Sequence, residues 1–485
     1  MNCKKKFIFF TILSLVFSCI AISVSSKKLL FDWNKEKKLD WQTIDLNDAT
    51  FWSSLTFPKK FSWGVASSAF QIEGVQTHHN QFVKNNWTED PVLGEYFKNT
   101  KGMDHWNQFK KDVQLIAKAG FNTYRFSIPW DKIEPEEGKF DQEAMNHYID
   151  LVKELEKYNI APWVCLFHFT LPVWFAQKEG FEKAENNQYF VRFCNYVFDN
   201  LPQVDYWISY NEPVAYAMEG YFRGTYPPHK TLKKFTDVLL NPYNLIDYLK
   251  QPGIVLKNML NAHIDIYKEF KRKRPNIQFG IINMFHPLDP YNSWNPLEIF
   301  AAKTGNALLH DSLLNFFKNG HFNWFGGLVN EKNNKAPNSL DFIGVNYYRH
   351  EIIQVGPTNI GTLKARQSEQ QAPDNNNAIY PEGLYRSIVK AATLGLPIYI
   401  TENGIADSTD QIRNEFIKKH LYIVNKAIAD GFDIRGYHYW TLLDSLGWKK
   451  GYGSKYGIYQ VNPETYERSL RDGAKPLVQF LNKIK

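Results

Sequence analysis

Cysteine is scarce in this chain. Only four occur in 485 residues, at Cys3, Cys19, Cys165 and Cys194, and none forms a CxxC pair. A disulfide framework or thiolate metal centre is therefore not expected. Cys165 lies in an apolar run and Cys194 in a helical pattern, so both read as buried thiols. There is no H-E-x-x-H motif and no glycine-rich phosphate loop, so neither metal nor cofactor is implied. Beyond the first 26 residues no apolar run is long enough to cross a bilayer. The net charge is +7, but the one basic run in the body of the chain is Lys271-Arg272-Lys273-Arg274. Four cations at a helix end read as a solvated terminus rather than a nucleic-acid contact.

The N-terminus reads as an address. Lys4-Lys5-Lys6 precedes an apolar stretch from Phe7 to Val24, then Ser25-Ser26-Lys27. That order fits a secretory signal over residues 1–26, with an uncleaved anchor as the alternative. Val16-Phe17-Ser18-Cys19 loosely follows a lipoprotein cleavage box, with a bulky Phe17. The expected location is secreted or periplasmic, with membrane attachment only through this segment. Residues 27–56 form an extension without visible chemistry, and 57–485 read as one domain.

Aromatic residues, by contrast, are plentiful at 16% of the chain. They suit a large core, or a cleft whose flat faces pack on sugar rings. Composition does not separate the two. Eight apolar or β-branched runs alternate with amphipathic helical stretches: 61–66, 121–128, 160–168, 206–212, 279–284, 341–348, 397–404 and 435–444. Such alternation predicts an α/β fold with a parallel sheet, and eight units predict a closed (β/α)₈ TIM barrel. The rival open sheet lacks a Gly-rich turn after its first strand. Four runs end in polar residues, at His168, Asn211-Glu212, Asn346-Tyr347-Tyr348 and Glu402-Asn403. Barrel enzymes carry their sites at these strand ends.

Glu212 ends the fourth run before Pro213, and Glu402 ends the seventh before Asn403-Gly404. Gly404 is expected to permit a sharp turn. Either glutamate alone reads as a rim salt bridge. Together they read as the two carboxyl groups that acetal hydrolysis requires, one protonated and one ionised.

Four ordered segments, Phe61–Gly74, Tyr210-Asn211-Glu212-Pro213, Ile400–Gly404 and Trp440–Asp444, resemble the signatures of family 1 glycoside hydrolases, the β-glucosidase and β-galactosidase family. The resemblance runs from Phe57 to about Leu481. It implies a retaining β-glycosidase acting on a carbohydrate substrate, with Glu402 as nucleophile and Glu212 as acid/base. It further implies that Arg125, Tyr348 and Asn346 support the nucleophile. Gln71, His168 and Asn211 would bind sugar hydroxyls, with Trp440 and Trp448 beside the ring.

Two positions depart from the family pattern. Phe169 stands where a tryptophan usually donates its indole N–H. Gly447, before Trp448, stands where a glutamate usually holds the 4- and 6-hydroxyls. Three substrate readings follow: an ordinary β-glucoside or β-galactoside, a glycone altered at carbon 6, or transfer to an acceptor other than water. A non-catalytic carbohydrate-binding barrel is the rival from another class. Asn86-Trp87-Thr88 also fits a glycosylation sequon, a triplet common by chance.

Overall fold

The computed structural model describes residues 45–75, 82–98, 100–231, 242–356, 360–449 and 451–484. The apolar N-terminal segment, Cys3, Cys19 and residues 27–44 lie outside the described residues. Among the described residues no helix is long and apolar enough to cross a membrane.

Eight parallel strands close into a barrel: β1 Ser62–Ala66, β2 Thr123–Ser127, β3 Ala161–Cys165, β4 Tyr206–Asn211, β5 Gln278–Met284, β6 Phe342–Asn346, β7 Ile398–Asn403 and β8 Ile434–Trp440. Each strand is followed by a helix that returns along the outside: α1 His105–Lys118, α2 Gln142–Lys157, α3 Asn187–Asn200, α4 Pro242–Lys273, α5 Ser312–Asn319, α6 Pro381–Ala391, α7 Arg413–Ala429 and α8 Lys475–Ile484. The ring closes through β1 against β8. Every expected strand run contains or overlaps one of these strands.

Strand alternation sorts the side chains into two cores. Tyr124 and Phe126 of β2 face the helices, and Arg125 between them faces the barrel axis. Trp163, Cys165, Ile208, Ile282, Phe342 and Tyr399 fill the barrel interior. Trp163 stacks on Tyr206 at 4.2 Å and meets Tyr399 edge-on at 4.7 Å. This aromatic plug makes the barrel a packed core, so chemistry is confined to its mouth. Cys165 and Cys194 are buried free thiols.

The described part of the extension packs on the seam of α7 and α8. Phe51 is buried, Trp52 lies 5.2 Å from Phe480, and Lys418 donates to the Leu46 carbonyl. The basic run caps the C-terminus of α4, where Lys271 pairs with Asp341 and Lys273 with Asp199. Asn86 of the sequon is already engaged: its amide donates to Phe169 O and accepts from the Leu171 N–H.

Candidate active site

Two register shifts prepare the two glutamates. On β4, Ser209 binds His263 of α4 and Tyr210 packs in the outer core, so two successive residues face outward. The register with β5 slips between Ile208 and Asn211, which turns Asn211 inward. Glu212 follows with φ 51° and ψ 56°, left-handed for a residue with a Cβ, and Pro213 starts a helix over Pro213–Tyr221. Such backbone costs about 1–3 kcal/mol and concentrates at functional sites. On β7 the register with β6 shifts between Ile400 and Glu402, so Thr401 and Glu402 both contact groups inside the barrel. Bulges beside active sites re-aim side chains in this way.

Arg125 joins the two strand ends. Its Nη1 pairs with Glu402 Oε1, and its Nη2 donates to Asn211 Oδ1 at 2.6 Å. Tyr348 Oη donates to Glu402 Oε2 at 2.6 Å. Both Glu402 oxygens therefore accept hydrogen bonds, one of them from a fixed cation. Glu212 has a different environment. Asn346 Nδ2 donates to Glu212 Oε1 at 2.8 Å, and no cation binds its carboxyl among the described residues.

Asn346 corrects one expectation. It pairs with Glu402 in the sheet register, yet its side chain serves Glu212 and Asn211 rather than Glu402. Thr401 Oγ1 donates to Asn346 Oδ1 at 2.8 Å and so fixes which end of the amide faces Glu212. A threonine in a buried strand carries no sequence signal beyond β propensity, so the role of Thr401 is visible only in the fold. Gly404 is a second correction. Its backbone is not left-handed, but a Cβ there would meet Trp440 O at 1.8 Å. Glycine is required by close approach, not by a turn.

The remaining expected residues surround the same mouth. Asn211 Nδ2 donates to His168 Nε2 at 3.2 Å. Burial, and then the Arg125 charge, hold the His168 imidazole well below its usual range, so it is neutral. The accepting Nε2 leaves the proton on Nδ1, which has no partner among the described residues. Gln71 donates to Leu446 O at 2.6 Å, and its Oε1 is buried without a partner. These two buried polar atoms suit sugar hydroxyls, since an unsatisfied group is costly. Trp440 and Trp448 lie near-parallel to His168, at 5.9 and 6.2 Å. Trp448 also stacks on Phe70 at 5.5 Å and packs at a tilt against Trp87 at 4.5 Å.

The two departures, Phe169 and Gly447, have the following surroundings. The Phe169 ring packs against Trp448 and Tyr226, and the nearby Trp87 indole N–H is spent on the Phe169 carbonyl. Gly447 is half-buried and its N–H donates to Gly451 O at 2.7 Å, so the backbone turns back on itself here. A separate cavity of about 640 Å³, lined by Lys111, Asp444, Lys455 and Arg471 among others, includes neither glutamate.

A barrel mouth with one cation-bound carboxyl and one buried carboxyl without a cation among the described residues has the pair of groups that glycoside hydrolysis uses. The chain belongs to glycosyl hydrolase family 1, whose model matches residues 53–484. It is a retaining β-glycosidase on a (β/α)₈ barrel. It is similar to a 1,4-beta-D-glucan glucohydrolase of Thermotoga neapolitana, 27% identical over 86% of this chain and 96% of that one. A 6-phospho-beta-galactosidase of Streptococcus mutans is 28% identical over 87% of this chain and 97% of its own. The solved beta-glycosidase from Pyrococcus horikoshii superposes with a TM-score of 0.78 at 31% identity, covering 89% and 96% of the two chains.

Burial, and then the charge on Glu402, push Glu212 up to about 8, against the Asn346 hydrogen bond and the Arg125 charge. A raised acid keeps its proton below that pH and loses it above. Activity that needs protonated Glu212 should therefore fall as pH rises through about 8. Glu402→Gln removes the second cause and should lower the Glu212 titration, read by isotope-edited infrared spectroscopy. An unmoved titration would show that the two carboxyl groups do not interact.

Proposed function

We propose that Glu402 is the nucleophile and Glu212 the acid/base of a double displacement at the anomeric carbon of a β-glycoside. The observation that carries this reading is the unequal surroundings of the two carboxyl groups. Glu402 accepts from Arg125 and Tyr348, which favours a carboxylate. Glu212 is buried, raised and without a cation partner among the described residues, which favours a proton donor. Glu212 protonates the leaving oxygen while Glu402 bonds to carbon 1. Glu212 then takes a proton from water, which attacks carbon 1 and releases Glu402, so configuration is retained.

Arg125, Tyr348 and Asn346 orient these groups in this reading. Gln71, His168 and Asn211 bind hydroxyls of the glycone, and Trp440 and Trp448 flank its ring. β-D-Glucosides are the proposed substrates, consistent with the names of the glucohydrolase and beta-glycosidase relatives. Secretion or export to a periplasm rests on the N-terminal sequence alone.

Glu402→Ala should reduce turnover of aryl β-glucosides by several orders of magnitude. Azide should restore it, giving the α-glycosyl azide, because a small anion then attacks from the vacated face. Near wild-type turnover without azide would exclude Glu402 as nucleophile.

The missing carboxylate at Gly447 predicts loose recognition of carbons 4 and 6. An open site rejects altered sugars weakly, whereas one built to bind a hydroxyl rejects them strongly. Specificity constants for aryl gluco-, galacto- and fucosides should lie within about tenfold of one another, by that argument. Gly447→Glu should widen the spread in favour of unmodified hexosides. A wild type strict for glucose, with a folded Glu variant of the same selectivity, would show that another group reads these positions.

A further inference from the structure

Beyond Glu212, the helix Pro213–Tyr221 carries Glu219, seven residues on, in its last turn. Glu219 is largely buried and accepts from Thr225, from Arg223 Nη1 at 3.0 Å and from Lys449 Nζ at 2.8 Å. Arg223 reaches on to Glu351 at 3.3 Å, and Glu351 binds Arg349 at 2.7 Å. A chain of alternating charge thus runs from Lys449 through Glu219, Arg223 and Glu351 to Arg349. It ties together the loops after β8, β4 and β6, all at the mouth of the barrel.

This chain begins and ends in a cation. Three cations meet two carboxylates. Arg349 directly follows Tyr348, which holds Glu402, and its Nε is buried without a partner among the described residues. Lys449 is half-exposed and lies 5.0 Å over the Tyr226 ring. The Tyr226 phenol is raised by burial and by the charges of Glu219 and Glu212, and lowered by Arg349 and Arg223. Tyr226 packs in turn against Phe169 and Trp448 at the mouth of the barrel. Groups beside the acid/base face the leaving group rather than the glycone.

We propose that the leaving-group side of this cleft recognises an aglycone bearing a carboxylate, with Arg349 and Lys449 as its contacts. The proposal rests on the glycosidase reading above and specifies its substrate. A third carboxylate balances the third cation. The Arg349 side chain is 19% exposed and its one ion-pair partner among the described residues is Glu351, so its guanidinium keeps surface for an anion, where a charge-assisted hydrogen bond is strong. Lys449 offers an ammonium at the rim, where attraction to an anion is screened by salt.

The test compares 4-carboxyphenyl and 4-carbamoylphenyl β-D-glucosides, which are close in shape and differ in charge. The ratio of their kcat/KM values should favour the carboxylate by about tenfold at low salt, the scale of one charge-assisted hydrogen bond. It should fall as salt rises. Arg349→Gln and, separately, Lys449→Gln should each move the ratio toward that of free leaving-group reactivity. Lys449 is at the surface, so its variant keeps the test open if Arg349→Gln does not fold. Turnover of both glucosides with a ratio indifferent to salt and to both substitutions would overturn the proposal while leaving the glycosidase reading intact. Turnover of neither, nor of a neutral dinitrophenyl glucoside, would overturn both.

Discussion

A fully buried guanidinium sets the terms for everything at the mouth of this barrel. Arg125 sits on an interior strand position, with no exposed surface. A buried charge without a partner is too costly to keep, and losing one partner of such a pair typically costs about 3–5 kcal/mol. Arg125 therefore needs Glu402 and Asn211 where they are. Those contacts draw the ends of β4 and β7 toward β2 and set the two glutamates in one cleft. The bulges on β4 and β7 and the left-handed Glu212 occur at the same strand ends, and Gly404 fits closely against Trp440 beside them. A typical glycine-to-bulkier change at Gly404 would meet backbone, which cannot give way as a flexible side chain can.

The same cation divides the labour of the two carboxyl groups. It binds Glu402 directly and reaches Glu212 only through space. Glu212 is left to burial and to the repulsion of Glu402, and both hold its proton on. Two residues of one type thus have unequal surroundings from position alone, the arrangement on which the proposed division into nucleophile and acid/base rests. Asn211 carries the arrangement outward. With Oδ1 occupied by Arg125 and Asn346, its amide nitrogen donates to His168.

Much of this was legible in the sequence, for identifiable reasons. Eight runs of strand period between helical stretches specify a barrel, because each strand must bury both faces. Polar residues at strand ends have no packing purpose, so His168, Glu212 and Glu402 stood out. What was hidden depended on contacts between distant segments. Asn346 was expected to serve Glu402, and only the bulged geometry with Thr401 turns it to Glu212. Gly404 gave no hint that Trp440 lies against it. The ion chain from Lys449 to Arg349 links three loops and was equally invisible. Surface-like charges in separate loops carry no mark of their partners until the fold brings them together.

In the proposed mechanism Glu402 forms a covalent bond to the sugar while Glu212 manages protons. Mass spectrometry of the protein after brief incubation with 2,4-dinitrophenyl 2-deoxy-2-fluoro-β-D-glucoside reads that bond. The fluorine slows release more than attack when the leaving group is this good, so the glycosyl-enzyme accumulates. The expected result is a mass increase of one fluoroglucosyl group, located by peptide sequencing on Glu402, with loss of activity in step. Stoichiometric labelling of Glu212, or steady turnover of the fluoro sugar with no adduct at any residue, would rule the mechanism out.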